Sequence, residues 1–384
     1  MKIEDIQLKI IPDSRGKDTL EATLRSGDFE ASASVPSGKS TGATEVAVLP
    51  PDQAITKIPW LLSQLKDQQF VSLEQFDFHL LTLDGTPNKS SLGGNLILAL
   101  SMAFARLLAK EANLELFEFL ARTSGTKQSL PLRGKKIKMP FCFFNLINGG
   151  LHAENSLPFQ EYLLIPQTKS PKQNLEIALS ATNVLKEKIQ SEYGQVNYGD
   201  EGGFTVPSND PLKGLQLLQN LEGKFGLDVA ASTMTEKQSI EFYKKVVEKF
   251  PILSIEDPYP EEDWDDFSKI TAELGNKIWI IGDDLLTTNV ARIKKAYALK
   301  AVNAVLIKPN QIGTITETIQ AVNLAKSYGW KIVVSHRSGE TMDTFIADLA
   351  VGVGADGLKS GCPLQKERLV KYQRLVEIEG TWRN

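Results

Sequence analysis

The chain repeats a short apolar run bounded by an ionisable residue, followed by a stretch long enough for a helix. The runs are Glu161 to Pro166, Gly226 to Val229, Ile252 to Glu256, Ile278 to Asp283, Ala304 to Lys308, Ile332 to His336 and a weaker Gly357 to Lys359. From Asp228 on, the bounding residues Asp228, Glu256, Asp283, Lys308, His336 and Lys359 recur every 23–28 positions, the spacing of a strand, a helix and two loops. Continuous apolar runs suit strands buried on both faces, as in a parallel sheet covered by helices. Between Lys308 and His336 the helix is signalled in full: Thr314-Ile315-Thr316-Glu317 reads as a capping box, Ile315, Ile319 and Val322 as the buried stripe and Gly329 as the stop.

From Pro140 to the end there are 245 residues, close to the roughly 250 of an eight-stranded barrel. The expected fold is α/β: a C-terminal eight-stranded β/α barrel over 136–384, preceded by an α+β N-terminal cap over 1–135. In the cap, Glu21 to Leu24 and Phe29 to Val35 alternate as antiparallel strands do, and Pro36 to Gly42 reads as a polar loop. Leu96, Leu100, Phe104, Leu107 and Leu108 recur at helical spacing and predict a buried stripe.

A barrel carries its strand ends to one mouth, so the six bounding residues should converge although they span 131 positions. Three carboxylates brought together raise one another's pKa, and a divalent cation resolves the conflict. Oxygen donors without thiols point to Mg²⁺ or Mn²⁺ at Asp228, Glu256 and Asp283. Lys308 and Lys359 would lie at the same mouth, where a lysine beside a metal-held carboxylate suits removal of the proton α to that carboxylate. Asp200-Glu201-Gly202-Gly203 places Glu201 on a glycine turn as a candidate general acid. His152 and His336 lie in glycine-containing turns, whereas His79, in the apolar stretch Phe76 to Leu81, reads as structural.

With 43 Lys and Arg against 47 Asp and Glu the net charge is −4, which argues against a nucleic-acid partner and leaves anion binding to local basic residues. Two distant cysteines, Cys142 and Cys362, indicate neither a disulfide framework nor a zinc site. Met1 to Ile11 is broken by charges and no run reaches eighteen apolar residues, so a soluble cytoplasmic protein is expected, without membrane contact. Gly38-Lys39-Ser40 imitates the end of a P-loop, but Ala33 occupies the first glycine position and Pro36 stiffens the segment. The glycines of Gly352 to Gly357 lack the elements of a dinucleotide site.

The ordered motifs resemble the enolase family, the phosphopyruvate hydratases of glycolysis. They are Asp13-Ser14-Arg15-Gly16, Val35 to Gly42, Leu83-Asp84-Gly85-Thr86, Asn148-Gly149-Gly150 with His152, Gln160-Glu161 and Gly199 to Gly203. They continue with Leu227 to Ala230, Ser254 to Pro258, Gly282 to Leu285, Lys308 to Gly313, Ser335 to Glu340 and Lys359-Ser360-Gly361. The resemblance implies reversible dehydration of 2-phosphoglycerate to phosphoenolpyruvate with two Mg²⁺ ions, the first held by Asp228, Glu256 and Asp283 and the second with help from Ser40. It further implies Lys308 as the base at C2, and Glu201 assisted by Glu161 at the C3 hydroxyl. Arg337 and Ser338 would bind the phosphate and Lys359 the carboxylate end. His152, Gln160 and His336 would shape the site, and the chain would form a homodimer or a higher homo-oligomer. Departures are Lys39 in place of a small residue, Lys17-Asp18 after Gly16, and shortened connections on both sides of Asp228. Two rival readings keep this scaffold: a different hydroxy-acid substrate, or a binding protein without turnover.

Overall fold

The computed structural model describes residues 1–39, 42–125, 137–153 and 157–383. Near the N-terminus β1 (Asp5–Pro12), β2 (Asp18–Ser26) and β3 (Phe29–Ser34) form an antiparallel meander. Its register sets Leu24 between Ile6 and Ala31, and Ala22 between Leu8 and Ala33, which gives the sheet one small, apolar face. The helix Gly94–Glu111 packs against β2 and β3. It buries 15 of its 18 residues rather than a stripe, because the helices Leu73–Asp84, Leu116–Thr123 and Ile315–Ser327 cover its other sides.

The larger unit is a closed barrel of β4 (Phe141–Asn148), β5 (Glu161–Ile165), β8 (Lys224–Asp228), β9 (Ile252–Glu256), β10 (Trp279–Gly282), β11 (Ala304–Ile307), β12 (Lys331–Ser335) and β13 (Gly357–Lys359), with β13 pairing back to β4. A short hairpin, β6 (Asn197–Tyr198) and β7 (Phe204–Thr205), hangs on the end of β4. Eight strands agree with the sequence-based expectation; their directions do not all agree. β5 runs antiparallel to both β4 and β8, so its first residue, Glu161, reaches the mouth, where the other strands contribute their last. β4 lacks the sequence signal because it ends on Asn148 and not on an ionisable residue.

The barrel interior is closed by a small core of its own that includes Phe143, Leu163, Ile165, Ile281, Ala304, Leu306 and Val333. Gly226 and Gly357 make room there: a Cβ on Gly357 would sit 2.6 Å from the Phe143 ring. Alternation along a strand then aims every second residue toward the mouth. Glu161 follows the parity of Leu163, Asp228 of Gly226, Asp283 of Ile281, Lys308 of Leu306 and Lys359 of Gly357.

The N-terminal unit is tied to the barrel at the start of the helix Ile315–Ser327. Ser101 Oγ accepts the Ile315 N–H at 3.0 Å and Asp77 accepts the Thr316 N–H at 2.9 Å. Burial of that carboxyl pushes its pKa up to about 6. Thr314 caps the same helix, accepting from Glu317 N at 3.1 Å. The Glu317 carboxylate accepts from the Thr314 hydroxyl and from Lys89 instead of closing a reciprocal box. The boundary expected at 135/136 lies outside the described residues. Replacing buried Thr314 with Ala removes a cap, and Thr314→Ala should cost about 1–2 kcal/mol in denaturant unfolding while leaving KM unchanged. A cost near zero would show that Ser101 and Asp77 suffice to hold this helix start.

Candidate active site

The strand register sets Glu161 directly beside Asp228, and Asp228 beside Glu256. All three are buried. Lys359, reaching in from β13, places its Nζ 3.0 Å from Glu161, 3.0 Å from Asp228 and 2.8 Å from Glu256. Burial alone lowers an ammonium's pKa, but these three carboxylates raise that of Lys359 well above its ordinary value. One cation does not satisfy three anions. Burial and the neighbouring Asp228 push Glu256 well up, and burial with Glu201 lifts Glu161 to about 7.

A second acidic group follows β9 and β10. Asp257, Asp283 and Asp284 can bring carboxylate oxygens within 4.8 Å of one another. Asp257 has φ +41°, a left-handed backbone that costs a non-glycine residue free energy. Its carboxylate accepts hydrogen bonds from the N–H groups of Asp283 at 3.0 Å and Asp284 at 2.7 Å. Burial and the adjacent acids push Asp257 well up and Asp284 to about 7. Asp283 is the exception: burial raises it, but its ion pair with Lys308 brings it below the ordinary range. Lys308 is correspondingly held protonated: burial is the largest single influence and lowers its pKa, but the carboxylates, Asp283 first and then Glu256, leave the net shift upward. Gln311 donates to the other Asp283 oxygen at 3.0 Å. The predicted ligand trio is thus divided between two lysines, Asp228 and Glu256 on Lys359 and Asp283 on Lys308.

The third part of the pocket is arranged for proton transfer. The β6–β7 turn, closed by Gly199 N to Gly203 O at 2.8 Å, carries Glu201. Burial opposes its ionisation, but His336 (Nε2 at 3.1 Å), the nearby His152 and the charge of Arg368 hold it well below the usual range, and the Asn145 amide donates to it at 3.0 Å. His152 Nδ1 lies 3.5 Å from Glu201 and 3.6 Å from Glu161. Burial lowers the pKa of His152, and the two carboxylates more than offset it, so the net shift is upward. Of the acidic pair, Glu161 therefore bears the proton near neutrality and Glu201 is ionised.

Arg337 and Ser338, both buried, line the same pocket as His152, Gln160, Glu161, Glu201, Asp228, Asp283, Lys308, His336 and Lys359. Arg337 forks onto Glu45 at 2.8 and 3.2 Å, and Gln160 donates to Asp228 at 3.3 Å. Ser37 bridges to Gly339 in both directions, at 2.8 and 2.9 Å. Lys39 crosses the mouth to the carbonyl of Leu151 at 2.7 Å and to Asp200 at 2.8 Å. Ser40 lies outside the described residues, and His79 lies in the N-terminal unit against the Phe70 ring. Asp257, Asp284, Glu45 and Gln311 were not singled out from the sequence. The acid doublets Glu256-Asp257 and Asp283-Asp284 were a usable signal for the first two.

Comparison with known proteins agrees with this geometry. The chain matches the enolase N-terminal domain over residues 3–120 and the enolase C-terminal TIM barrel domain over 136–233 and 217–383. It is 42% identical to enolase B of Dictyostelium discoideum, covering 99% of this chain and 95% of that protein. It is 38% identical to an enolase of Solanum lycopersicum over 98% and 95% of the two chains, and 35% identical to an enolase of Helicobacter pylori over 99% and 96%.

The chain belongs to the enolase family.

Membership accounts for the shortened connections as local trims, because coverage of these enolases is nearly complete in both directions. Among the described residues no helix is long and apolar enough to cross a membrane. For the acidic clusters the decisive support is Asp257. Asp257→Ala strands two N–H groups and should cost about 2–4 kcal/mol, with divalent-cation affinity falling at least tenfold by calorimetric titration. Unchanged affinity would show that Asp257 does not orient Asp283.

Proposed function

We propose that this chain dehydrates 2-phosphoglycerate reversibly to phosphoenolpyruvate, with Lys308 taking the C2 proton and the Glu201–Glu161 pair delivering a proton to the departing C3 hydroxyl. The observation that supports it most is the presence of Lys308 and of two glutamates, Glu161 and Glu201, with His152 between them, in one pocket with Arg337. The C2–H bond breaks toward the Lys308 amine, its electrons form the C2–C3 double bond, and the C3–O bond breaks as the hydroxyl leaves as water. Lys308 has to lose its ammonium proton first, and its partner Asp283 is the group that holds that proton on. Glu161 supplies a proton at neutral pH, and His152, between the two glutamates, lets either of them carry it. Arg337 and Ser338 receive the phosphate once Arg337 exchanges Glu45 for it, and Lys359 faces the carboxylate end. His336, Gln160 and His152 line the path of the reacting carbons.

The donor set suits Mg²⁺. Glu161, Glu201, Asp228, Glu256, Asp257, Asp283 and Asp284 gather around the ammonium groups of Lys308 and Lys359, and Arg337 is already matched by Glu45. This surplus of oxygen anions fits a hard dication. We assign the first ion to Asp228, Glu256 and Asp283 and the second to the neighbourhood of Ser40. An ion held there would supply positive charge against the negative charge that develops on the substrate carboxylate as the proton leaves. We further propose a cytoplasmic homodimer, and two domains meeting at 135/136.

Ultraviolet absorbance of the enol product tests the activity. Purified protein with 2-phosphoglycerate and Mg²⁺ should produce it, and chelation should silence it reversibly. Lys308→Ala should lose ~10²–10⁴-fold in rate together with exchange of the C2 proton into solvent. Glu201→Gln should lose dehydration and retain exchange. Substrate binding without any turnover would favour a scaffold, and C2 exchange in Lys308→Ala would remove lysine as the base.

A further inference from the structure

Arg368 stands in the first turn of the C-terminal helix Lys366–Arg383, wholly buried, its only charged function sealed from water. Among the described residues it makes no ion pair. Its donors go to neutral acceptors instead: Gln365 Oε1 at 2.8 Å, the carbonyls of Arg337 and of Ser338 (2.7 Å), Ser14 Oγ at 3.3 Å and His336 Nδ1 at 2.6 Å. A buried guanidinium without a carboxylate is costly to retain, which asks what its position does.

A guanidinium has five donors and no acceptor. The ring nitrogen it meets at 2.6 Å therefore has to present a lone pair, which leaves the single imidazole proton on Nε2. That nitrogen lies 3.1 Å from Glu201 Oε2. We propose that Arg368 is a positioning residue that fixes His336 as the neutral Nε2–H tautomer and so aims one donor at Glu201.

The surroundings of His336 agree from every side. Glu201 on the β6–β7 turn favours a protonated ring, while Arg368 on the C-terminal helix and Lys359 on β13 oppose it. Burial is the largest influence, and the balance lowers the His336 pKa to about 4. The two contacts on opposite ring nitrogens, Arg368 at Nδ1 and Glu201 at Nε2, thus hold the ring as a fixed donor toward Glu201. Arg368 also pins the carbonyls of Arg337 and Ser338, so one side chain sets both the donor on Glu201 and the backbone of the expected phosphate loop. Arg368 touches no reacting atom in this arrangement; it acts through His336, and its charge adds to what keeps Glu201 ionised. The catalytic consequence rests on the reading of Glu201 above, whereas the tautomer does not.

Nitrogen NMR of the histidine rings tests this directly, since the chain has three histidines and His336→Asn identifies the signal. In the unaltered protein Nδ1 should appear as a bare acceptor and Nε2 as a protonated donor from about pH 5 to 8, the range in which an ordinary histidine titrates. A proton on Nδ1, or titration within that range, would overturn the proposal without bearing on turnover. Arg368→Met should give a His336 that titrates within the range and a kcat lowered ~10-fold or more, with a new pH dependence and little change in KM. Arg368→Lys, which restores a donor, should recover part of both. If Arg368→Met folds and keeps the original tautomer and pH profile, Arg368 is a structural residue only. If it does not fold, the tautomer of the unaltered protein decides.

Discussion

Three carboxylates in register on adjacent strands, Glu161, Asp228 and Glu256, are the constraint on which the mouth of the barrel is built. Like charges directly opposite one another destabilise a sheet, and each is buried, where an ion loses several kcal/mol of solvation. Lys359 is the fold's own answer, one ammonium within 3.0 Å of all three. It leaves the row under-neutralised, and the raised pKa values of Glu256 and Glu161 record that deficit. Stability that a chain of this size could spend on apolar packing is held at its mouth as unresolved charge, as happens where function sets the residues.

The same shortage of positive charge organises the rest of the pocket. Asp283 takes Lys308, Glu45 takes Arg337 and Glu201 draws on His152 and His336. Each of these pairs engages a group that the dehydration uses, so a dication and an anionic substrate would replace these internal neutralisations. The signs are consistent. Carboxyls with raised pKa favour the folded state below their unfolded pKa, and that contribution fades as pH rises toward the folded value, about 7 for Glu161 and Asp284. Glu201 and Asp283 run the other way, being ionised in place by their partners.

Much of this was legible in the sequence because the barrel's period is long and its strand ends are chemically loud. The recurrence from Asp228 to Lys359 located six strands and their terminal side chains without contacts. It failed where the signal is silent or reversed. β4 ends in an amide, and β5 carries its acid first because it runs backward, a direction no run of apolar residues encodes. Asp257 was hidden by its neighbour Glu256, although its left-handed backbone and the two N–H groups its carboxylate accepts from make it the support of Asp283. Arg368 was not singled out from the sequence, because nothing in its neighbours Lys366, Glu367 and Leu369 marks a buried guanidinium; only the packed structure shows it.

The central claim is that the buried carboxylates at the mouth outnumber the cations the chain supplies, so that a dication binding there displaces protons from them. Titrating Mg²⁺ into lightly buffered, substrate-free protein near pH 6.5 while recording proton release measures this directly. The account predicts saturable binding with release of roughly one or more protons per chain, drawn from Glu161, Asp284 and the other raised carboxyls. Binding without proton release, or no binding at all, would contradict it.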